Sequence, residues 1–330
     1  MAETLVAETG RGAAIGGGAW CRRGAMFTRR IAATFKRRIA ATFKRRFAAI
    51  FPAEFFMRLP AALGALFLTA IFAVPPALAA NTAAPSVPSV PSLLIAHKAL
   101  YSLTLDSAKS NDVIAARGTM GYEVTDACDG WAVRQRLNMT ITNADGQDIQ
   151  MASDYATWES KDGLKFRYHM RQTTDTAVTS QTDGEASLSK VGGPGEAHYN
   201  SPHDTTSALP PGTLFPMAHT AAIIAAARGK KHFLALPLFD GTDENGVEDS
   251  FIVVLDWKPP TPNKWPTLSS LPSTKVNIAF FDHGPESMMP SYEVAMRYWE
   301  NGVADNMKMD FGEFVMNAKM QEFAPQPHRC

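Results

Sequence analysis

The sequence predicts a mainly β, antiparallel domain of about fourteen strands built around one buried α-helix. Three observations carry this. Apolar and polar residues alternate with period two over long runs. In Gly130–Thr142, Trp131, Val133, Leu137, Met139 and Ile141 share one side, and Arg134, Arg136 and Asn138 the other. The runs are separated by hairpin dipeptides such as Asp145-Gly146, Asp162-Gly163 and Asn301-Gly302. One stretch breaks the pattern: LPPGTLFPMAHTAAIIAAARG, residues 209–229, is small or apolar on every side. Pro216 suits a first helical turn, because the N–H it lacks would be orphaned there, and Arg228-Gly229 supplies a basic end and a stop. A helix apolar all round must be buried on most of its surface, so a sheet is expected to wrap it.

In chain order, strands are predicted over Ala99–Leu105, Ala115–Thr125, Gly130–Thr142, Asp148–Trp158 and Leu164–Thr173. Three weaker ones follow at Ala177–Thr182, Glu185–Val191 and Glu196–Asn200. Beyond the helix come His232–Phe239, Val247–Trp257, Thr274–Phe281, Ser291–Glu300, Val303–Phe311 and Phe314–Phe323. Lys258–Ser273, rich in proline and polar residues, reads as a long surface loop.

The formal charge of zero hides two parts of opposite sign. Up to Ala79 there are 12 basic and 3 acidic residues, leaving 20 basic and 29 acidic after it, a net charge near −9. An acidic domain of 251 residues lacks the basic footprint that nucleic acid requires. The first part holds the repeat RRIAATFK, RRIAATFK, RRFAAIF, then the apolar run Leu59–Val74 and Ala-x-Ala at Ala77–Ala79. A basic stretch, a short apolar run and small residues at a cleavage point form the pattern of a secretory signal. Cleavage is expected between Ala79 and Ala80, with the translation start at Met26 or later. An uncleaved anchor or a cationic membrane-surface segment are the competing readings of the same residues. The expected organisation is a leader over 1–79, a Pro/Ser/Ala linker over 80–94 and a β domain over 95–330. The mature form is then exported and does not span the membrane.

With Cys21 in the leader, Cys128 and Cys330 remain. In an oxidising compartment they read as a disulfide, elsewhere as two unrelated thiols. A bond closing about 200 residues is worth about 5 kcal/mol in the chain-entropy account, less any native strain. No hydrolase, zinc-protease, redox or phosphate-loop motif is present, and the eight histidines show no paired metal spacing. No cofactor or metal is expected. Asp240–Gly246 lacks the spacing of a calcium loop and reads as an acidic turn.

Two groups of residues are candidates for binding. Arg134 and Arg136 share a face of one strand; Lys165, Arg167, His169 and Arg171 share a face of another. They form a basic stripe that either borders a concavity for an anionic or amphiphilic ligand or is an ordinary solvated face. Phe215 and His219 bracket the helix start, as ligand contacts or as a core plug and a locally satisfied imidazole.

HKALYSLTLDSA, the block from LPPGTLFPMAHT to LPLFDGTDE, the hairpin YEVAMRYWENGVADNMKMDFGEF and the terminal Cys330 resemble the cell envelope integrity protein EipB family over roughly His97–Cys330. The resemblance implies a periplasmic β-spiral, an open barrel-like antiparallel sheet of about fourteen strands with a helix against it. It implies a disulfide between the positions of Cys128 and Cys330, and a part in envelope integrity with no known reaction. The function expected is therefore non-enzymatic binding of an envelope protein or a lipid-like molecule on the concave sheet. An envelope hydrolase or a membrane-tethered structural protein are the alternatives.

Overall fold

Each alternating segment has one face to bury, and the small-residue helix offers no polar face to water, so strands and helix bury one another. The computed structural model describes residues 94–284 and 287–327. The leader with its repeat and cleavage point, the linker up to residue 93, and Cys330 lie outside the described residues.

The strands are β1 (His97–Ala108), β2 (Val113–Asp126), β3 (Gly130–Asn143), β4 (Asp148–Ser160), β5 (Lys165–Thr174), β6 (Ala177–Leu188), β7 (Gly195–Ser201) and β8 (Thr205–Leu209). Helix α1 (Pro216–Arg228) follows, then β9 (Phe233–Leu238), β10 (Glu248–Val254), the single turn α2 (Pro266–Ser269), β11 (Ser273–Asp282), β12 (Tyr292–Trp299), β13 (Ala304–Asp310) and β14 (Phe314–Pro325). All fourteen strands form one antiparallel sheet in the order β8 to β1, then β14 to β9. The chain winds outward from β1 to one edge, passes through α1 to the other edge and winds back until β14 pairs with β1.

No ladder joins the edges β8 and β9, so the sheet is open. A single parallel bridge spans the gap. Leu214 donates its N–H to the Pro237 carbonyl at 2.9 Å and accepts from the Phe239 N–H at 3.0 Å.

Helix α1 lies against the inner face, with Met217, Ala218, His219, Ala221, Ile223, Ile224, Ala226 and Ala227 buried. Its residue before Pro216, Phe215, has no capping side chain of its own. The cap comes from β4: Glu159 accepts from the Met217 N–H at 2.7 Å and the Ala218 N–H at 2.8 Å. A carboxyl group there satisfies two orphan donors of the first helical turn. At the other end the Gly229 N–H bonds back to Ala225, and Arg228 pairs with Glu300.

Three details depart from the sequence expectation. The two weak strands before residue 192 are one, β6. A bulge at Asp183-Gly184 lies between them: a Cβ at Gly184 would lie 2.0 Å from the His198 carbonyl and 2.6 Å from the Tyr168 hydroxyl. Strand β8 was hidden in a polar run because an edge strand needs little apolar alternation. The expected loop Lys258–Ser273 contains α2, whose Leu268 is fully buried, and its ends pair with each other through Lys258 and Ser273. Among the described residues no helix is long and apolar enough to cross a membrane.

Candidate ligand-binding face

Pleating sorts the side chains of β1–β6 into inner and outer cross-strand rows. One inner row runs Ala99, Tyr122, Gln135, Tyr155, Met170, Thr182; the next runs Tyr101, Met120, Leu137, Ser153, Gln172. Over β1 and β14 the inner face is closed, with Tyr101, Leu103, Met316 and Met320 at 0–2% exposure. Across β3–β5 it is only half covered: Gln135, Leu137, Met151, Ser153, Tyr155 and Met170 all keep partial exposure. The β9–β10 loop bounds this strip. Tyr155 donates its hydroxyl to the Asp240 carbonyl at 2.6 Å, and Thr182 donates to the Gly241 carbonyl at 2.6 Å.

These rows hold thioether, aliphatic, phenol, hydroxyl and amide groups and no exposed charge. Glu159, which faces inward nearby, is 1% exposed and occupied by the helix N–H groups. Burial pushes its pKa up to about 8, against the lowering effect of the two N–H donors. Such a lining suits an uncharged, mostly apolar body with a few hydrogen-bonding points.

His219 and Ser250 are the nearest approach to a reactive pair, with Nε2 2.7 Å from Oγ. Ser250 donates its own proton to the Leu236 carbonyl at 2.7 Å, so His219 Nε2 must carry hydrogen and donate to Oγ. An imidazole in that tautomer is no base for this hydroxyl, and both residues are buried. Burial also lowers the His219 pKa to about 4. Among the described residues no cluster of three or more His, Cys, Asp or Glu could hold a metal ion.

The structure places the residues singled out by sequence in two separate groups. Arg134, Arg136, Lys165, Arg167 and Arg171 are gathered on the outer face, exposed, behind the inward-turned Val133, Phe166 and Tyr168. There they are interleaved with carboxylates: Arg134 lies beside Glu123, Arg136 beside Asp154, Asp154 beside Arg171, and Arg167 beside Glu185. Arg136 and Asp154 form an ion pair, and Arg167 sits over the Trp158 ring at 5.1 Å. Phe215 is on the opposite side of the sheet, fully buried and stacked on Phe166 at 5.0 Å, and His219 is held by Ser250. Glu159 carried no signal in the sequence, because it reads as one more polar residue before the Asp162-Gly163 turn. Tyr122 and Tyr155 were within reach of the alternation, but alanines at outer positions such as Ala152 and Ala156 blur it on β4.

A single open sheet coiled about one helix, with part of its concave face uncovered, defines a barrel-like protein rather than a closed barrel. The chain belongs to the EipB-like family, whose model matches residues 89–327. It is 29% identical over 275 residues to the cell envelope integrity protein EipB of Brucella abortus (strain 2308), covering 80% of this chain and 93% of that protein. It is also similar to the crystal structure of a beta-barrel-like protein of domain of unknown function DUF1849 from Brucella abortus. That match has a TM-score of 0.64 and 26% identity, over 71% of this chain and 99% of the other.

Proposed function

We propose that this protein supports the integrity of the cell envelope as a non-enzymatic periplasmic protein that holds a lipid-like ligand on the inner face of β3–β5. The observation that carries this reading is the partly covered, charge-free strip of Gln135, Leu137, Met151, Tyr155 and Met170, beside inner surface sealed at Tyr101, Leu103, Met316 and Met320. The envelope role follows the name of the Brucella relative. Export follows from the leader, cleaved between Ala79 and Ala80, and residues 80–94 serve as a linker.

The same reading includes a Cys128–Cys330 disulfide. Cys128 sits in the tight turn after β2 at φ +70°, its N–H bonded to Asp126. His97 on β1 pairs with Val124 on one side and Pro325 on the other. The end of β14 at Pro325 therefore lies two strands from β2 near its turn into β3, about 10 Å at normal strand spacing. Such a link ties the end of the winding to its start in a compartment without ATP-driven refolding.

The test uses the exported protein purified from periplasmic extract and a fluorescent diacylglycerol, an uncharged lipid, as probe. Leu137→Trp and Met170→Trp fill the strip and are expected to abolish probe binding with the melting midpoint retained. Undiminished binding by both variants sinks the reading.

A further inference from the structure

The outer face is polar over most of its width, from Lys98, Glu123 and Arg134 on β1–β3 to Asn317 and Lys319 on β14. On β9 and β10 it turns apolar, and β11 adds Ala279 and Phe281 beyond its exposed Lys275 and Asn277. The register sets Phe233 beside Val253, Ala235 beside Phe251, and Phe251 beside Ala279, while Phe281 lies beside Asp249. Phe233 and Phe251 are 65% and 44% exposed, and their rings stack at 6.3 Å. Isolated exposed apolar residues need no explanation, but a strip across three adjacent strands marks an interaction surface. A cavity of about 330 Å³ opens on it, lined by Ala235, Phe251 and Phe281 with Asp249 and Asp282.

The strip reaches a free sheet edge. The His232 carbonyl accepts from the Val254 N–H, so the backbone groups of alternate residues 232, 234 and 236 turn toward β10. Those of Phe233 and Ala235 turn away, and no backbone partner meets them among the described residues. Further along, the Leu214 bridge takes the Pro237 carbonyl and the Phe239 N–H. Pro237, lacking an N–H, ends the open stretch and limits any added strand to a short one.

We propose that this surface docks an extended segment of a partner protein, paired with the edge of β9 and carrying apolar side chains flanked by lysine or arginine. Charge selects this occupant. Asp249 and Asp282 line the cavity, and among the described residues the one ion pair they make is Asp249 with His283 at 2.9 Å. The same carboxylates repel an anionic bilayer surface, and a twofold-related copy would set them against their own counterparts. Main-chain pairing supplies affinity and the phenylalanine strip supplies selection, as in strand-addition complexes. The strip lies on the face opposite the inner rows, so it stands whether or not the inner face holds a lipid.

The experiment places a photoreactive benzoylphenylalanine at Phe251 of the full chain in its own cells, with the same group at the exposed outer position Asn138 for comparison. One protein is expected to cross-link at Phe251, through a segment with apolar and basic residues, and not at Asn138. A synthetic peptide of that segment should bind the exported protein, and Asp249→Lys with Asp282→Lys should weaken it about tenfold without moving the melting midpoint. Adducts with lipid only, adducts with a second copy only, equal or absent adducts at the two positions, or a peptide indifferent to the charge reversal would each overturn the proposal.

Discussion

In the arm β5–β8 the interior is filled with rings, and in the body around α1 it is filled with methionine. Phe166, Tyr168, Tyr199, Phe215 and Phe239 form a connected set of stacked and edge-on pairs at 5.0 to 6.4 Å. The body buries Met120, Met139, Met296, Met307, Met309, Met316 and Met320 around Ile223 and Ala227 of the helix. The arm has short outer strands and few inward positions, so each must cover a large area with defined geometry. The body must fit an irregular surface where a helix of alanines meets a curved sheet, and flexible unbranched side chains fill such gaps. Phe215 joins the two, standing at the head of α1 with its ring in the aromatic cluster.

The largest test of that division is Phe215→Ala, expected to cost about 3–5 kcal/mol. Hydrogen exchange should accelerate in β5–β8 well before β12–β14. Equal acceleration in both would make arm and body one cooperative unit.

Next comes pH, because both buried titratable groups at the helix start lie where arm and body meet. His219, lowered from 6.5 to about 4, is neutral when folded and binds its proton more readily when unfolded. Its contribution is complete above pH 6.5 and is lost as pH falls towards 4, a loss on the order of 3 kcal/mol. Glu159, raised from 4.5 to about 8, acts in the opposite sense: stability falls as pH rises from 4.5 to 8. Urea titrations across pH should show His219→Gln flattening the acid limb and Glu159→Gln the alkaline one.

Gly241→Ala is smaller and local to the arm. At φ +70°, its new Cβ would sit 2.3 Å from the Tyr168 ring, a cost of about 1–3 kcal/mol by calorimetry. In the body, Met316→Leu conserves volume and should cost less than about 1.5 kcal/mol despite full burial. The smallest effect is expected outside both cores, where Arg134→Glu with Arg167→Glu should leave melting and diacylglycerol binding unchanged. A shift in binding would bring the outer stripe into the site.

The strands that were legible are those whose alternation is long, such as β3, and the hairpin at Asn301-Gly302. Ala177–Thr182 and Glu185–Val191 read as two strands because a bulge at Asp183-Gly184 interrupts the alternation of the single strand β6. The basic stripe was legible along each strand. Its neutralising carboxylates were not, because Glu123, Asp154 and Glu185 become neighbours only through the register between strands.

Period-two alternation, turn dipeptides and one small-residue helix were enough to determine a mainly antiparallel β domain around a buried helix, since each depends on residues close along the chain. Only the tertiary structure decided which strands end as edges, that β4 caps the helix through Glu159, and which part of the concave face stays uncovered. Those outcomes depend on contacts between residues far apart in sequence: Glu159 meets Met217 58 positions away, and β1 meets β14 across nearly the whole domain. Local pattern carries no record of such pairings, because the same alternating strand fits many neighbours until register and packing choose one.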